Sequence, residues 1–174
     1  AHPFGTVPAA FGPDGKVGIF ESNSIMRAVA RLGSTESGIY GNDPYTASRI
    51  DSYLDASLVF ARDSQIYLLA LSDKVVTREI HNSANQAFGV YMSAIDNALT
   101  SNAAFLVSDQ VTLADICFVC EYAMFSREGK SGDTLSGIGV QPITSESSVR
   151  FPRAISHYEK LCRHDAFSPD LRGF

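Results

Sequence analysis

A helix that is apolar on every side can be built only in the middle of a core, and one stretch of this chain has that character. Residues 116–125 read Ile-Cys-Phe-Val-Cys-Glu-Tyr-Ala-Met-Phe, with Glu121 the lone charge. A helix start buried in a core cannot leave its first N–H groups to water. Thr112 and Asp115 lie just upstream, three residues apart. The Thr112 hydroxyl can accept from the Asp115 N–H, and the Asp115 carboxylate from the Thr112 N–H. This is a capping box with Asp in place of Glu. The spacing predicts a buried central helix opened by that box. Asp115 also reads as a general base, but capping accounts for its spacing fully.

The neighbouring segments read as helices that would surround it. Asp43 and Pro44 fit the N-cap and first position of a long helix reaching about Leu71. A second helix is predicted from about Thr77 to Leu99, where Ile80, Ala84, Phe88, Tyr91, Ile95 and Leu99 form one apolar stripe. A last helix runs from about Pro152 to Arg163, with Ile155, Tyr158 and Leu161 on one face. The polar, Gly- and Ser-rich residues 126–148 read as a long loop of the binding or mobile kind. At the N-terminal end, Pro8 precedes one probable strand and Lys16 begins another, joined by the turn Gly12-Pro13-Asp14-Gly15. A helix from Ser22 to Leu32 follows, with Ser22 as N-cap and Gly33 as stop.

Three motifs occur in a fixed order: His2-Pro3-Phe4-Gly5-Thr6-Val7-Pro8-Ala9, then Ile19-Phe20-Glu21-Ser22-Asn23-Ser24-Ile25, then Val111-Thr112-Leu113-Ala114-Asp115-Ile116. Phe151-Pro152-Arg153 opens the last helix. This order resembles the glutathione transferase superfamily, and its wording is closest to the transferase-like domains of the gamma subunits of translation elongation factor 1. The resemblance implies a mainly α fold: a glutathione-transferase-like C-terminal helical bundle with a truncated thioredoxin-like N-terminal remnant, a β-hairpin plus helix. The boundaries expected are 1–33 for the partial thioredoxin-like part, 34–42 for a linker, and 43–174 for the helical domain. The chain starts at Ala1, so it reads as a processed product or fragment lacking roughly the first half of the thioredoxin-like domain.

Composition narrows the classes. A chain of 174 residues has room for one sizeable core. Its net charge is −5, which argues against direct nucleic-acid binding. No apolar run approaches the roughly 18–20 residues of a membrane span, and no signal-peptide pattern opens the chain. Charged residues make up 19%, against about 25% in typical globular domains. Two readings stay open: a surface partly covered by a partner, or a well-filled core.

Candidate chemistry is sparse. By resemblance, Glu21 and Ser22 hold the γ-glutamyl carboxylate of glutathione, an anion at a helix N-terminus. The alternative is that Ser22 only caps its helix. By resemblance again, Val7–Pro8 is a cis bond and the Val7 backbone pairs with the cysteinyl part of glutathione; a trans Pro at a strand start is the default without it. Cys117 and Cys120 form a Cys-x-x-Cys inside the predicted helix, where packing is favoured over redox or zinc chemistry. His2, His81, His157 and His164 show no ligand spacing, so no metal site is expected.

The superfamily's enzymes stabilise the glutathione thiolate with a Tyr, Ser or Cys near the start of the first domain, a region this sequence does not contain. No catalytic residue is therefore assigned, and no cofactor is required, although glutathione remains a candidate ligand. The first reading is a transferase-like assembly module in a multi-subunit complex, which by resemblance scaffolds nucleotide-exchange subunits. The alternatives are a glutathione transferase whose N-terminal part is not in this sequence, and an accessory subunit of another large complex reusing the fold. Other protein subunits are the expected partners, with a homodimer through the helices after Ser22 and Asp43 also in view. Cytoplasm is the expected location, with an organelle complex as the alternative. The free hairpin edge around 7–11 and the segment 126–148 are the expected partner surfaces.

Overall fold

A computed structural model of the chain describes residues 4, 5, 7–16, 18–33, 37–100 and 104–171. His2, Thr6, Val17, residues 34–36 of the expected linker and the last three residues of the expected helical domain lie outside them. Strands β1 (Ala9–Phe11) and β2 (Gly18–Phe20) pair antiparallel with Ala10 opposite Ile19. The turn between them closes through Gly15 N–H to the Gly12 carbonyl at 2.9 Å. Gly15 sits at φ +66°, a conformation glycine adopts without penalty.

Helix α1 (Ser22–Leu32) follows directly. Ser22 is not its N-cap: Glu21 takes that place, with φ 67° and ψ 127°, and no side chain caps the first turn. The left-handed φ of Glu21 turns the chain sharply out of β2, so Ser22 already lies inside the helix. Gly33 does end it, its N–H reaching the Val29 carbonyl at 3.1 Å.

Helix α2 (Pro44–Ser72) begins as the Asp-Pro pair predicts, with Asp43 accepting from the Tyr45 and Thr46 N–H groups. Helix α3 (Arg78–Ala98) is capped by the Thr77 hydroxyl. Both pack on one core with α4 (Leu113–Ser126), where Phe60, Phe88 and Phe125 meet ring to ring. Close packing of such rings adds to their burial. Helix α4 is central, but not apolar-buried all round. Cys120 is exposed and Met124 is 46% exposed, one turn apart on a single stripe.

Residues 126–148 are not a long loop. They fold into a 3-10 turn (Arg127–Ser131), helix α5 (Gly132–Gly137), a second 3-10 turn (Ile143–Glu146) and the start of α6 (Ser147–Arg150). Leu135, Ile143 and Glu128 are buried there. Glu128 accepts from the Tyr67 hydroxyl at 2.6 Å and the Thr144 N–H at 2.7 Å, so it ties the segment to α2. Elements this short carry no readable period, and the bonds that hold them span long sequence distances. Helices α7 (Pro152–Cys162) and α8 (Ser168–Leu171) close the fold. Phe151 before α7 has no capping side chain. Asp96 of α3 replaces it, accepting from the Arg153 and Ala154 N–H groups at 2.7 and 3.0 Å.

Candidate functional site

The hairpin and the start of α1 carry the residues singled out for glutathione. Val7–Pro8 is a cis peptide bond, in agreement with the resemblance. Val7 is 91% exposed, so its backbone stands at the surface beside β1. Glu21 and Ser22 are exposed too. The first turn of α1 presents N–H groups that no side chain caps. Uncapped N–H groups at the positive end of a helix attract a carboxylate. A non-glycine residue held at positive φ is the kind of local strain that collects at ligand sites.

Val7 also lines a cavity of about 600 Å³. Its other walls include Leu68 and Leu69 of α2, Met124 of α4, and the cations Arg127 and Lys130. Glu21 and Ser22 do not line it. Pro8 leads into β1 and Glu21 leads out of β2, next to the paired Ala9 and Phe20, but the four residues do not line a single cavity.

Next to Ser22, Asn23 turns inward and is buried. Its amide donates to the Leu54 carbonyl and to the Ser57 hydroxyl, the latter at 3.2 Å. The Cys117 thiol donates to the same hydroxyl at 3.1 Å. This polar knot fixes the start of α1 against α2 and α4. Burial pushes the Cys117 thiol up to about 12. It stays a thiol, and the packing role expected for it holds. Cys120 faces outward, so that expectation fails for the second sulfur. Among the described residues no group of three His, Cys, Asp or Glu side chains is placed to hold a metal.

The box at α4 closes, and it does more than cap. Asp115 Oδ2 accepts from the Thr112 N–H and from the Thr112 hydroxyl, each at 2.9 Å. Its other oxygen accepts from the Leu106 N–H at 3.0 Å and lies 2.8 Å from His157 Nε2. Both acid and imidazole are buried. The Leu113 N–H reaches back to the Ile39 carbonyl at 2.8 Å, so the expected linker is itself part of the α4 start. With its oxygens committed to holding α4, α7 and the 104–107 segment together, Asp115 has a structural task. His157 was missed because it lies 42 residues away, and nothing local marks it as a partner. Asp96 left a faint trace: a Pro-opened helix preceded by Phe151 needs its cap from elsewhere.

Glu121, on α4, was also overlooked. It stands half-buried one turn beyond Cys117, and burial pushes its carboxyl up to about 7. Among the described residues no hydrogen bond or ion pair holds it.

Comparison with known proteins agrees with the helical core. Residues 62–131 match the family described as glutathione S-transferase, C-terminal domain. The chain is similar to elongation factor 1-gamma 1 of Oryza sativa subsp. japonica, 33% identical over 129 residues, which is 72% of this chain and 30% of that protein. It is 31% identical over 121 residues to a probable elongation factor 1-gamma 1 of Arabidopsis thaliana, covering 68% of this chain and 28% of that protein. The elongation factor 1-gamma of Prunus avium is 33% identical over 121 residues, with the same coverage of 68% and 28%. The chain spans about 30% of the length of the curated relatives it matches. It is a glutathione-transferase-like domain related to the elongation factor 1-gamma proteins.

Proposed function

We propose that this chain is a protein–protein assembly module of the elongation factor 1-gamma kind, working in the cytoplasm as a scaffold for nucleotide-exchange subunits. Its similarity to elongation factor 1-gamma proteins over 68–72% of its length carries the reading. The surface supports it: Val59, Ile66 and Leu69 of α2 and Val90 of α3 are large apolar side chains left in water. Co-expression with the exchange subunits of elongation factor 1 tests it, with a stoichiometric complex on size exclusion as the expected result. A chain that elutes alone and conjugates glutathione to a chromogenic electrophile would overturn it.

A second reading, a glutathione transferase, is favoured by the cis Val7–Pro8 bond and the uncapped start of α1. In that reading Val7 and Pro8 would set the backbone for the cysteinyl part of glutathione, and Glu21 and Ser22 would hold its γ-glutamyl carboxylate. Under the first reading the same groups bind glutathione weakly and unproductively. The expected result for this chain is then conjugation at the buffer rate.

A further inference from the structure

Two cations stand on the turn that follows α4. Arg127 and Lys130 are the first and fourth residues of the 3-10 turn Arg127–Ser131. Residues three apart in a 3-10 helix eclipse one another, with a rise of about 6 Å between them. Both are exposed, and both line the cavity of about 600 Å³ beside Val7. Its apolar wall draws on three elements: Val7 before β1, Leu69 of α2 and Met124 of α4, all exposed. Arg127 Nη1 lies 3.8 Å from the Met124 sulfur, so the charged rim and the apolar wall adjoin. Glu128 also lines the cavity. Its carboxylate is buried and already accepts from the Tyr67 hydroxyl and the Thr144 N–H.

We infer that this cavity docks an acidic, amphipathic helical segment of a partner subunit. Its acids lie on Arg127 and Lys130, and its apolar face lies on Val7, Leu69 and Met124. Charge and spacing select the occupant. The chain as a whole carries −5, and this rim is a place where an acidic partner meets attraction instead of repulsion. Two acids three or four apart on an α-helix stand about 5–6 Å from each other, which matches the two cations. A ligand with one carboxylate would engage one cation and leave the other. Apolar residues at the same spacing of three and four put one stripe of such a helix against the cavity, the way amphipathic helices dock in apolar grooves. The inference rests on the assembly reading and names the chemistry of one partner's docking segment.

The probe is a fluorescein-labelled helical peptide with Glu at one-turn spacing and Leu on the adjoining face. It is titrated with the full chain and followed by anisotropy, and saturable binding is expected. Arg127→Glu combined with Lys130→Glu should weaken it about tenfold or more, since two exposed attractions become repulsions. The same peptide with Lys in place of Glu should bind the wild-type chain weakly and recover on the doubly reversed variant. That recovery also shows the variant to be folded. Met124→Gln should weaken both matched pairs, because it removes an apolar contact common to them. An acidic probe that binds no better than the basic one would overturn the docking, because the cations would then select nothing. Displacement of the probe by an equal concentration of dodecanoate would overturn it too, because a single carboxylate would then suffice. A complex with the exchange subunits that the doubly reversed variant forms as tightly as wild type would also overturn it, while leaving the assembly reading standing.

Discussion

Helix α4 starts inside the protein, where Asp115 holds the Thr112 N–H and the Ile39 carbonyl holds the Leu113 N–H. Helix α1 starts at the surface, after a residue at φ 67°, with no side chain over its first turn. Both starts place Ser or Thr near an acid, so on paper they look alike. Burial separates them. A buried helix start must satisfy its donors within the fold, and the residues that do so are spent. An exposed start can leave its donors to water, and they stay available to an anion. The α4 motif is therefore architecture, while the α1 start keeps backbone donors that no side chain caps.

Replacing Asp115 with Ala should break the buried start most severely. A lost cap alone costs roughly 0.5–2 kcal/mol. Here the Leu106 and Thr112 N–H groups and the His157 ring would also lose their partner inside the core. Removing one member of a buried pair costs about 3–5 kcal/mol, and the loss should fall in that upper range. Urea denaturation measures it. A midpoint equal to wild type would mean that α4 does not depend on the box.

Asp96→Ala tests whether a cap supplied from another helix matters as much as a local one. It would strip the Arg153 and Ala154 N–H groups of their acceptor and free the half-exposed Arg153 guanidinium, 2.8 Å away. About 1–3 kcal/mol is expected for leaving such groups unsatisfied. A loss below about 0.5 kcal/mol in the same denaturation assay would show that Pro152 alone starts α7.

The sequence was readable where interactions are local. Thr112 with Asp115, and Asp43 with Pro44, are caps written within four residues, and each helix they open is present. Apolar periodicity over several turns placed α2, α3 and α7 to within about two residues. Reading failed where a bond joins distant segments. Glu128 with Tyr67, His157 with Asp115, and Asp96 with α7 leave no spacing to detect. The segment 126–148 was misread for that reason: its order comes from a buried carboxylate and two apolar anchors. At the start of α1, Glu21 and Ser22 could be named but not told apart, because the left-handed φ that moves the cap from one to the other is invisible in the residue types.

Glu121 sharpens the comparison from the other end of α4. Unlike Asp115, it is only half-buried and has no hydrogen-bond partner among the described residues, and burial raises its folded-state pKa from an ordinary 4.5 to about 7. Below pH 4.5 both folded and unfolded chains hold the proton. Above it the unfolded chain releases the proton first, so the folded state loses stability up to about pH 7 and then levels off. Glu121→Gln should remove this decline, leaving the variant on the order of 1–3 kcal/mol more stable than wild type at neutral pH. Denaturation curves at intervals from pH 4 to 8 would show it. Parallel stability profiles for the two proteins would mean that the carboxyl ionises freely.

Ser22→Ala should have the smallest effect on stability and decides whether the exposed start is a site at all. The Ser22 side chain makes no cap bond, so its removal should shift stability by no more than about 0.5 kcal/mol. Ala also favours a helix interior over Ser. If the first turn of α1 holds the γ-glutamyl carboxylate, the loss of the hydroxyl should still weaken glutathione binding in a calorimetric titration. A hydrogen bond to a charged group is worth about 1.5–3 kcal/mol, a roughly ten- to hundredfold change in Kd. Asp115→Ala, compared at a urea-free temperature where it remains folded, should leave that affinity nearly unchanged, because its donors face the core. A stability loss for Ser22→Ala comparable to that of a cap, with glutathione affinity untouched, would make α1 start as α4 does and remove the distinction between the two.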